Sequence, residues 1–264
     1  MEKIKELREK TGAGMVDCKK ALDEAGGDLD KAVEILRKKG ISKAAKRTER
    51  EASEGVVLVG VNEAGNEGYI VEMNSESDFV ARNEKFQELG KMIFEAIKAH
   101  KPASLEMLLE LSLSNGSIKD HFDNLSGVIG EKLVLKRFEI VSGVSVGSYS
   151  HLGGKIGVLV ALDRPDSSAL AVDIAMQIAA ANPKYLEPSQ VSAEEISKEK
   201  DIYREQLIKE GKPEAMIEKI SEGKLGKFFS EICLIKQEYI KDDKQTVEQV
   251  LGGAKVIKFV RYSL

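Results

Sequence analysis

The apolar positions of this chain change period along its length, and each change marks a new kind of element. Over the first forty residues the spacing is helical. Ile4 and Leu7 stripe a first short helix that Thr11-Gly12-Ala13-Gly14 breaks. Val16, Cys18, Ala21, Leu22 and Ala25 fall on a second, ended by Gly26-Gly27. Asp28 is placed to N-cap a third, over Leu29, Ala32, Val33 and Leu36, with Gly40 as its stop. So short a unit must use every apolar position it has. Ser42 then reads as the cap of a linking helix that runs to about Gly55.

Beyond Gly55 the pattern becomes that of strands. Val56-Val57-Leu58-Val59, a turn-rich stretch over 62–68 and Tyr69-Ile70-Val71 predict a β-hairpin. Phe86, Leu89, Ile93, Ala96 and Ile97 predict a helix over 83–99. Ser117 is a cap for a further helix over Ile118, Phe122, Leu125 and Ile129, with Gly127 and Gly130 permitting close backbone approach near its end. Residues 133–141 are β-prone. The order then begins again: a strand over 144–150, a tight connection over 151–155, a returning strand over 156–162 and a helix over 167–181. A hairpin followed by a helix, twice, predicts two related subdomains.

Residues 191–232 predict a charge-rich, projecting helical hairpin broken at Gly211-Lys212-Pro213. Ile196, Ile202 and Leu207 would line one arm, and Met216, Ile220 and Leu225 the other. A short helix from Thr246 to Leu251 and a strand over 255–262 close the chain. The expected fold class is α+β with antiparallel strands. The expected divisions are 1–53 for the three-helix module and a basic linker, 54–141 for a first core subdomain, and 142–264 for a second that carries the hairpin at about 190–232.

Composition narrows the functions. The chain has 264 residues, 42% hydrophobic and 32% charged, as expected of a soluble globular protein. A net charge of −4 does not point to nucleic acid. Between 31 and 50 eight Lys or Arg stand against two Glu, but without interleaved aromatics, so a solvated helix and linker is the stronger reading. No apolar run approaches the ~20 residues of a membrane span, and the N-terminus lacks the apolar core of a secretory signal. Two distant cysteines, Cys18 and Cys233, read as reduced thiols of a cytoplasmic protein.

Catalytic chemistry is poorly supplied. His100, His121 and His151 are far apart, no cysteine pair suits zinc, and the chain has no P-loop, dinucleotide fingerprint or nucleophile elbow. No catalytic residue, metal or cofactor is therefore expected, and function should lie in binding another protein. The candidate is Ser77-Asp78-Phe79-Val80, at the junction between strand and helix, which would present an acidic and a large apolar side chain together. On the tetrapeptide alone the core reading of Phe79 is the stronger, since it lies seven residues before Phe86 and most Phe residues are packing residues. The Gly12-Ala13-Gly14-Met15 loop either offers Met15 as a soft contact or uses its glycines only for the turn.

Four stretches together alter that balance. The run from Leu7 to Leu22 resembles the N-terminal motif of the bacterial translation elongation factor Ts family. Glu72-Met73-Asn74-Ser75-Glu76-Ser77-Asp78-Phe79-Val80-Ala81 resembles its second motif, and Val128-Ile129-Gly130-Glu131 and 174–180 are similar to two later ones. Val16 stands where Met is usual and Ser77 where Thr is usual. The resemblance implies a three-helix module like a ubiquitin-associated domain, two related α+β subdomains and a protruding helical hairpin. It implies guanine nucleotide exchange on elongation factor Tu, with neither nucleic acid nor a membrane as partner. Residue by residue, it assigns Mg²⁺ dislocation in the partner to Ser77, Asp78, Phe79 and Val80. It assigns partner contacts to Thr11, Gly12, Ala13, Gly14, Met15 and Val16, to Ile129 and Gly130, and to His151. It also requires Phe79 to be exposed while Phe86 is buried. A protein-binding adaptor without exchange activity would rest on the first forty residues alone, and an RNA-binding protein on the basic run.

Overall fold

The structure is a computed structural model and describes residues 2–11, 13, 15–45, 47, 49–113 and 116–264. Three helices come first: α1 (Glu2–Thr11), α2 (Met15–Glu24) and α3 (Leu29–Ala45). A first half of the core follows, with β1 (Glu54–Val61), β2 (Glu67–Ser75), α4 (Asp78–Ala81), α5 (Glu84–His100), α6 (Leu105–Glu110), a minimal ladder of β3 (Ser112–Leu113) and β4 (Gly116–Ser117), α7 (Ile118–Ile129) and β5 (Leu133–Ser142). The second half holds β6 (Ser145–His151), β7 (Ile156–Leu162) and α8 (Ser168–Ala181), then the hairpin arms α9 (Ala193–Lys209) and α10 (Glu214–Ile232). It ends with β8 (Glu238–Tyr239), β9 (Asp242–Thr246), α11 (Val247–Leu251) and β10 (Val256–Ser263). The class is α+β, and every ladder between strands is antiparallel.

The core is built in layers. α5 and α7 cover one face of the sheet β1-β2-β5, with Tyr69, Val71 and Met73 packed among Phe86, Ile93 and Phe122. Its other face meets the sheet β10-β7-β6 through Val57, Ile70, Val146 and Leu159. α8 and α11 seal the far side. With both faces covered, β2 is buried along all but its first residue, which explains its nearly continuous apolar run. The hairpins brace each other reciprocally. Val57 of β1 donates to the carbonyl of Gly154 in the turn between β6 and β7 (2.7 Å), and Val146 of β6 donates to Gly65 in the turn between β1 and β2 (2.7 Å).

The N-terminal helices have a small core of their own around Leu7, Cys18, Ala21, Leu22 and Ala32. Asp28 caps α3 as expected, its Oδ1 accepting from the amides of Asp30 (3.0 Å) and Lys31 (3.1 Å). Gly40 does not stop that helix, and Ser42 does not start another, because α3 runs through both to Ala45. Gly40 is instead a point of contact with α7: a Cβ on Gly127 would lie 2.5 Å from the Cα of Gly40. Two glycines let the helix backbones touch, and tertiary contact outweighs the helix-breaking tendency of one of them. The basic stretch after α3 is also less free than its composition implies. Arg47 donates to the carbonyl of Ser126 (2.9 Å), and Arg50 pairs with Glu76 (3.3 Å). Lys46 lies outside the described residues.

In the helical hairpin, Leu207 and Ile217 are buried, whereas Ile202 on the one arm and Met216 on the other are exposed. Each residue turns a helix by about 100°, so α10, entered through Pro213, brings Ile217 to the seam and leaves its neighbour outside. No helix among the described residues is long and apolar enough to cross a membrane.

Candidate functional site

β2 leaves the sheet at Ser75, and the chain turns through Glu76 and Ser77 into the single turn of α4. Ser77 is extended (φ −127°, ψ 156°), and its Oγ accepts from the amide of Val80 (3.4 Å), as an N-cap should. α4 does not merge with α5, because Asn83 is extended again and caps the next helix, its Oδ1 accepting from the Lys85 amide (3.0 Å). That second cap decides what Phe79 does. Val80 and Ala81 are the buried side of α4, and Phe79 is 84% exposed whereas Phe86 is fully buried. The core reading of Phe79 is therefore wrong: the break at Asn83 takes it off the buried stripe of α5. Asp78 beside it is half-exposed and pairs with Arg82 (3.1 Å), an exposed i,i+4 contact worth little by itself.

A second loop grips this turn. α7 ends at Gly130, whose left-handed φ of 89° makes it the C-cap. Nothing stands near the position of a Cβ there, so its expected role in close backbone approach falls to Gly127. The residue after it, Glu131, accepts from the Ser77 amide through Oε2 (3.0 Å) and from the Ser77 hydroxyl through Oε1 (2.6 Å). In return Glu76 Oε1 accepts from the amide of Lys132 (2.6 Å). Ser75 Oγ donates to the Ser77 carbonyl (2.9 Å) and Ser126 Oγ to the Glu131 carbonyl (2.6 Å). Ile129 and Gly130 thus stand next to the exposed Phe79 turn although some fifty residues separate them in sequence.

His151 ends β6 and is exposed, its ring stacked on Tyr149 (centroids 5.8 Å apart) with the Tyr149 hydroxyl 3.0 Å from Nδ1. The following turn carries Leu152, 65% exposed. This turn lies at the same end of the sandwich as Ser75: Lys155 pairs with Glu54 (3.4 Å), and Glu54 sits opposite Ser75 in the ladder of β1 and β2. Exposed Phe79, Leu152 and His151 therefore share one end of the molecule.

At the N-terminal module, Met15 (57%) and Val16 (67%) are exposed at the start of α2. Ala13 is buried, and Thr11 is tied back through Oγ1 to the Leu7 carbonyl (2.6 Å). Gly12 and Gly14 lie outside the described residues. Thr11 and Ala13 also line a cleft of about 510 Å³ whose opposite wall is Asn124, Gly127 and Val128 of α7. Thr11 and Ala13, α7 and the Phe79 turn thus follow one another.

The motif around Phe79 also contains residues with purely structural work. Glu72 is fully buried between the sheets and paired with Lys136 (2.8 Å) and Arg137 (2.6 Å). The Arg137 guanidinium lies 3.9 Å from the ring centroid of Tyr262 on β10. Burial, first, and the nearby Glu139 push the Tyr262 hydroxyl up to about 12. Sequence reasoning placed Glu76 and Glu131 inside matching motifs but gave them no role, and it missed Leu152. Among the described residues no group of three His, Cys, Asp or Glu is placed to hold a metal ion. A family model described as Elongation factor TS matches residues 76–264, beginning within the Phe79 turn, and the chain therefore belongs to the elongation factor Ts family, whose role is nucleotide exchange on elongation factor Tu.

Proposed function

We propose that this chain drives GDP from elongation factor Tu by inserting the Asp78-Phe79 turn into the GTPase domain and dislocating Mg²⁺, so that GTP can bind. The observation that carries this is Phe79 itself, a large aromatic held 84% exposed on a one-turn helix whose Val80 and Ala81 are packed. Ser77 and Val80 set that turn, while Ile129 and Gly130 contact the same partner domain beside it. His151, with Leu152, meets a second partner domain, and Thr11 to Val16 place the N-terminal module on the GTPase domain. No nucleic acid or membrane is needed, and the protein acts in the cytoplasm. The residues divide as 1–53, 54–141 and 142–264.

Mg²⁺ demands near-ideal octahedral coordination, so a small displacement of its ligands weakens it disproportionately. The ion also neutralises the phosphate oxygens, and its loss loosens the nucleotide. Burying Phe79 in an apolar slot supplies about 2–4 kcal/mol as an interface hot spot, and each ~1.4 kcal/mol directed against nucleotide is a factor of ten. Linkage makes the effect mutual: bound nucleotide weakens the factor as much as the factor weakens nucleotide, which allows release. The test is stopped-flow release of fluorescent GDP from elongation factor Tu at saturating factor. A Phe79→Ala variant that binds and accelerates like the parent would refute the wedge.

A further inference from the structure

An exposed wedge acts only if it is aimed. α4 has four residues, far too few to hold a direction by its own hydrogen bonds. Its orientation must come from what is tied to its cap, and that is Ser77. The Ser77 hydroxyl is used twice, accepting from Val80 inside α4 and donating to Glu131 outside it (2.6 Å). The Ser77 amide is bonded to the other oxygen of the same carboxylate (3.0 Å). Glu131 is itself held: its carbonyl accepts from Ser126, and it follows directly on the left-handed cap of α7. From these contacts we infer that Glu131 is a positioning residue for exchange, transmitting the rigidity of α7 to the cap of α4 and so fixing the direction in which Asp78 and Phe79 project.

The inference rests on the wedge reading of Phe79. The carboxylate acts through Ser77 and not by contact with the partner. A two-oxygen grip on one residue's amide and hydroxyl restrains rotation as well as distance, which a single bond would not. Charge-assisted hydrogen bonds are the stronger kind. Their loss should leave Phe79 exposed and able to touch the partner, but seldom in the productive direction. The expected signature is a fall in the saturating release rate with less change in the concentration of factor giving half the effect.

The experiment uses the full chain in two assays. In the first, GDP release from elongation factor Tu is followed for the parent, Glu131→Ala, Ser77→Ala, Ser77→Thr, the Glu131→Ala/Ser77→Ala pair and Phe79→Ala, each with a melting curve. Glu131→Ala should lower the saturating rate about tenfold or more, from the loss of two charge-assisted bonds. Ser77→Ala should lower it less, Ser77→Thr should restore it, and the pair should be no slower than Glu131→Ala alone. In the second assay, Phe79→Trp places a single indole in a chain that has no tryptophan. Its time-resolved anisotropy should show faster local motion when Glu131→Ala is added, without any partner present. If Phe79→Ala slows release and Glu131→Ala does not, the positioning role is overturned while the wedge stands. If Phe79→Ala is silent, the wedge reading falls, and the anisotropy still decides whether Glu131 holds the turn. Should Glu131→Ala melt early, Ser77→Ala carries the same two readouts, and unchanged rate and motion in it would overturn the inference.

Discussion

The two halves of the core share a hairpin followed by a helix, and they differ most where strand hands over to helix. In the second half β7 passes through 163–167 directly into α8. That crossing is tied down by polar bonds: Asp163 Oδ1 accepts from the Lys255 amide (2.7 Å), Ser145 Oγ donates to the Arg164 carbonyl (2.7 Å), and the Ser167 amide donates to Ser145 Oγ (3.1 Å). No large apolar side chain is exposed in it. α8 then lies hard against β6, where a Cβ on Gly147 would collide with the backbone at Ala171. In the first half an extra turn, α4, stands between two N-caps, Ser77 and Asn83, and is gripped from outside by Glu131. The hairpin-then-helix frame is common to both halves, and in the first a short extra turn presents an exposed aromatic side chain. Under the proposed function, that added turn, held at its cap, is the working element, and the layers around it supply rigidity.

That contrast can be broken by exchanging which half suffers. Phe79→Ala should slow saturating GDP release by tens- to hundreds-fold, the equivalent of about 2–4 kcal/mol, while the melting temperature stays nearly constant. Ile174→Ala, in the fully buried face of α8, should do the reverse. It should cost about 2–5 kcal/mol of stability by denaturant titration, with the folded fraction still active. Early melting and normal release in Phe79→Ala would return Phe79 to the core.

Glycine substitutions sharpen the same difference at a smaller scale. Gly147→Ala forces a methyl into the α8 backbone and should destabilise by about 1–3 kcal/mol through overpacking. Gly130→Ala meets no atom but must hold φ at 89°, so it should cost only about 1 kcal/mol. Because Gly130 leads into Glu131, it should nevertheless affect exchange more than Gly147→Ala does. Chemical denaturation beside the release assay compares the two.

Each half also leaves its mark on a different limb of the pH–stability curve. The Lys101 ammonium, with the Tyr69 hydroxyl, holds the Glu67 carboxyl of the first half below its ordinary value. A depressed carboxyl stabilises the fold above its unfolded pKa, and that contribution is lost as pH falls through the folded value. In the second half the hydrogen bond to Asp173 raises the Lys241 ammonium. Its contribution is present below the unfolded lysine pKa and lost as pH rises through the folded one. Glu67→Gln should flatten the acid limb of melting temperature against pH, and Lys241→Met the alkaline limb, the latter weakly because the pair is exposed. The smallest effect is expected from limited trypsin digestion. First cuts should fall between 41 and 53, leaving a folded core, and earlier cutting within 55–99 would contradict the division.

Local chemistry was legible from the sequence alone. The caps Asp28 and Ser117, the hairpin pairings, the break before Pro213 and the helix over α5 all follow from interactions within a few residues, which spacing records directly. The family motifs identified the candidate turn as well. Tertiary structure decided the rest. Gly40 became a contact because Gly127 faces it, and Ile217, not Met216, meets the hairpin seam because of where α10 begins. Glu72 became a joint between sheets because Arg137 and Tyr262 meet there. Above all, the carboxylate that holds the Phe79 turn lies 54 residues from the serine it binds. A hydrogen bond over that separation leaves no period in the chain, because the packing of α7 against the first sheet alone brings its two ends together.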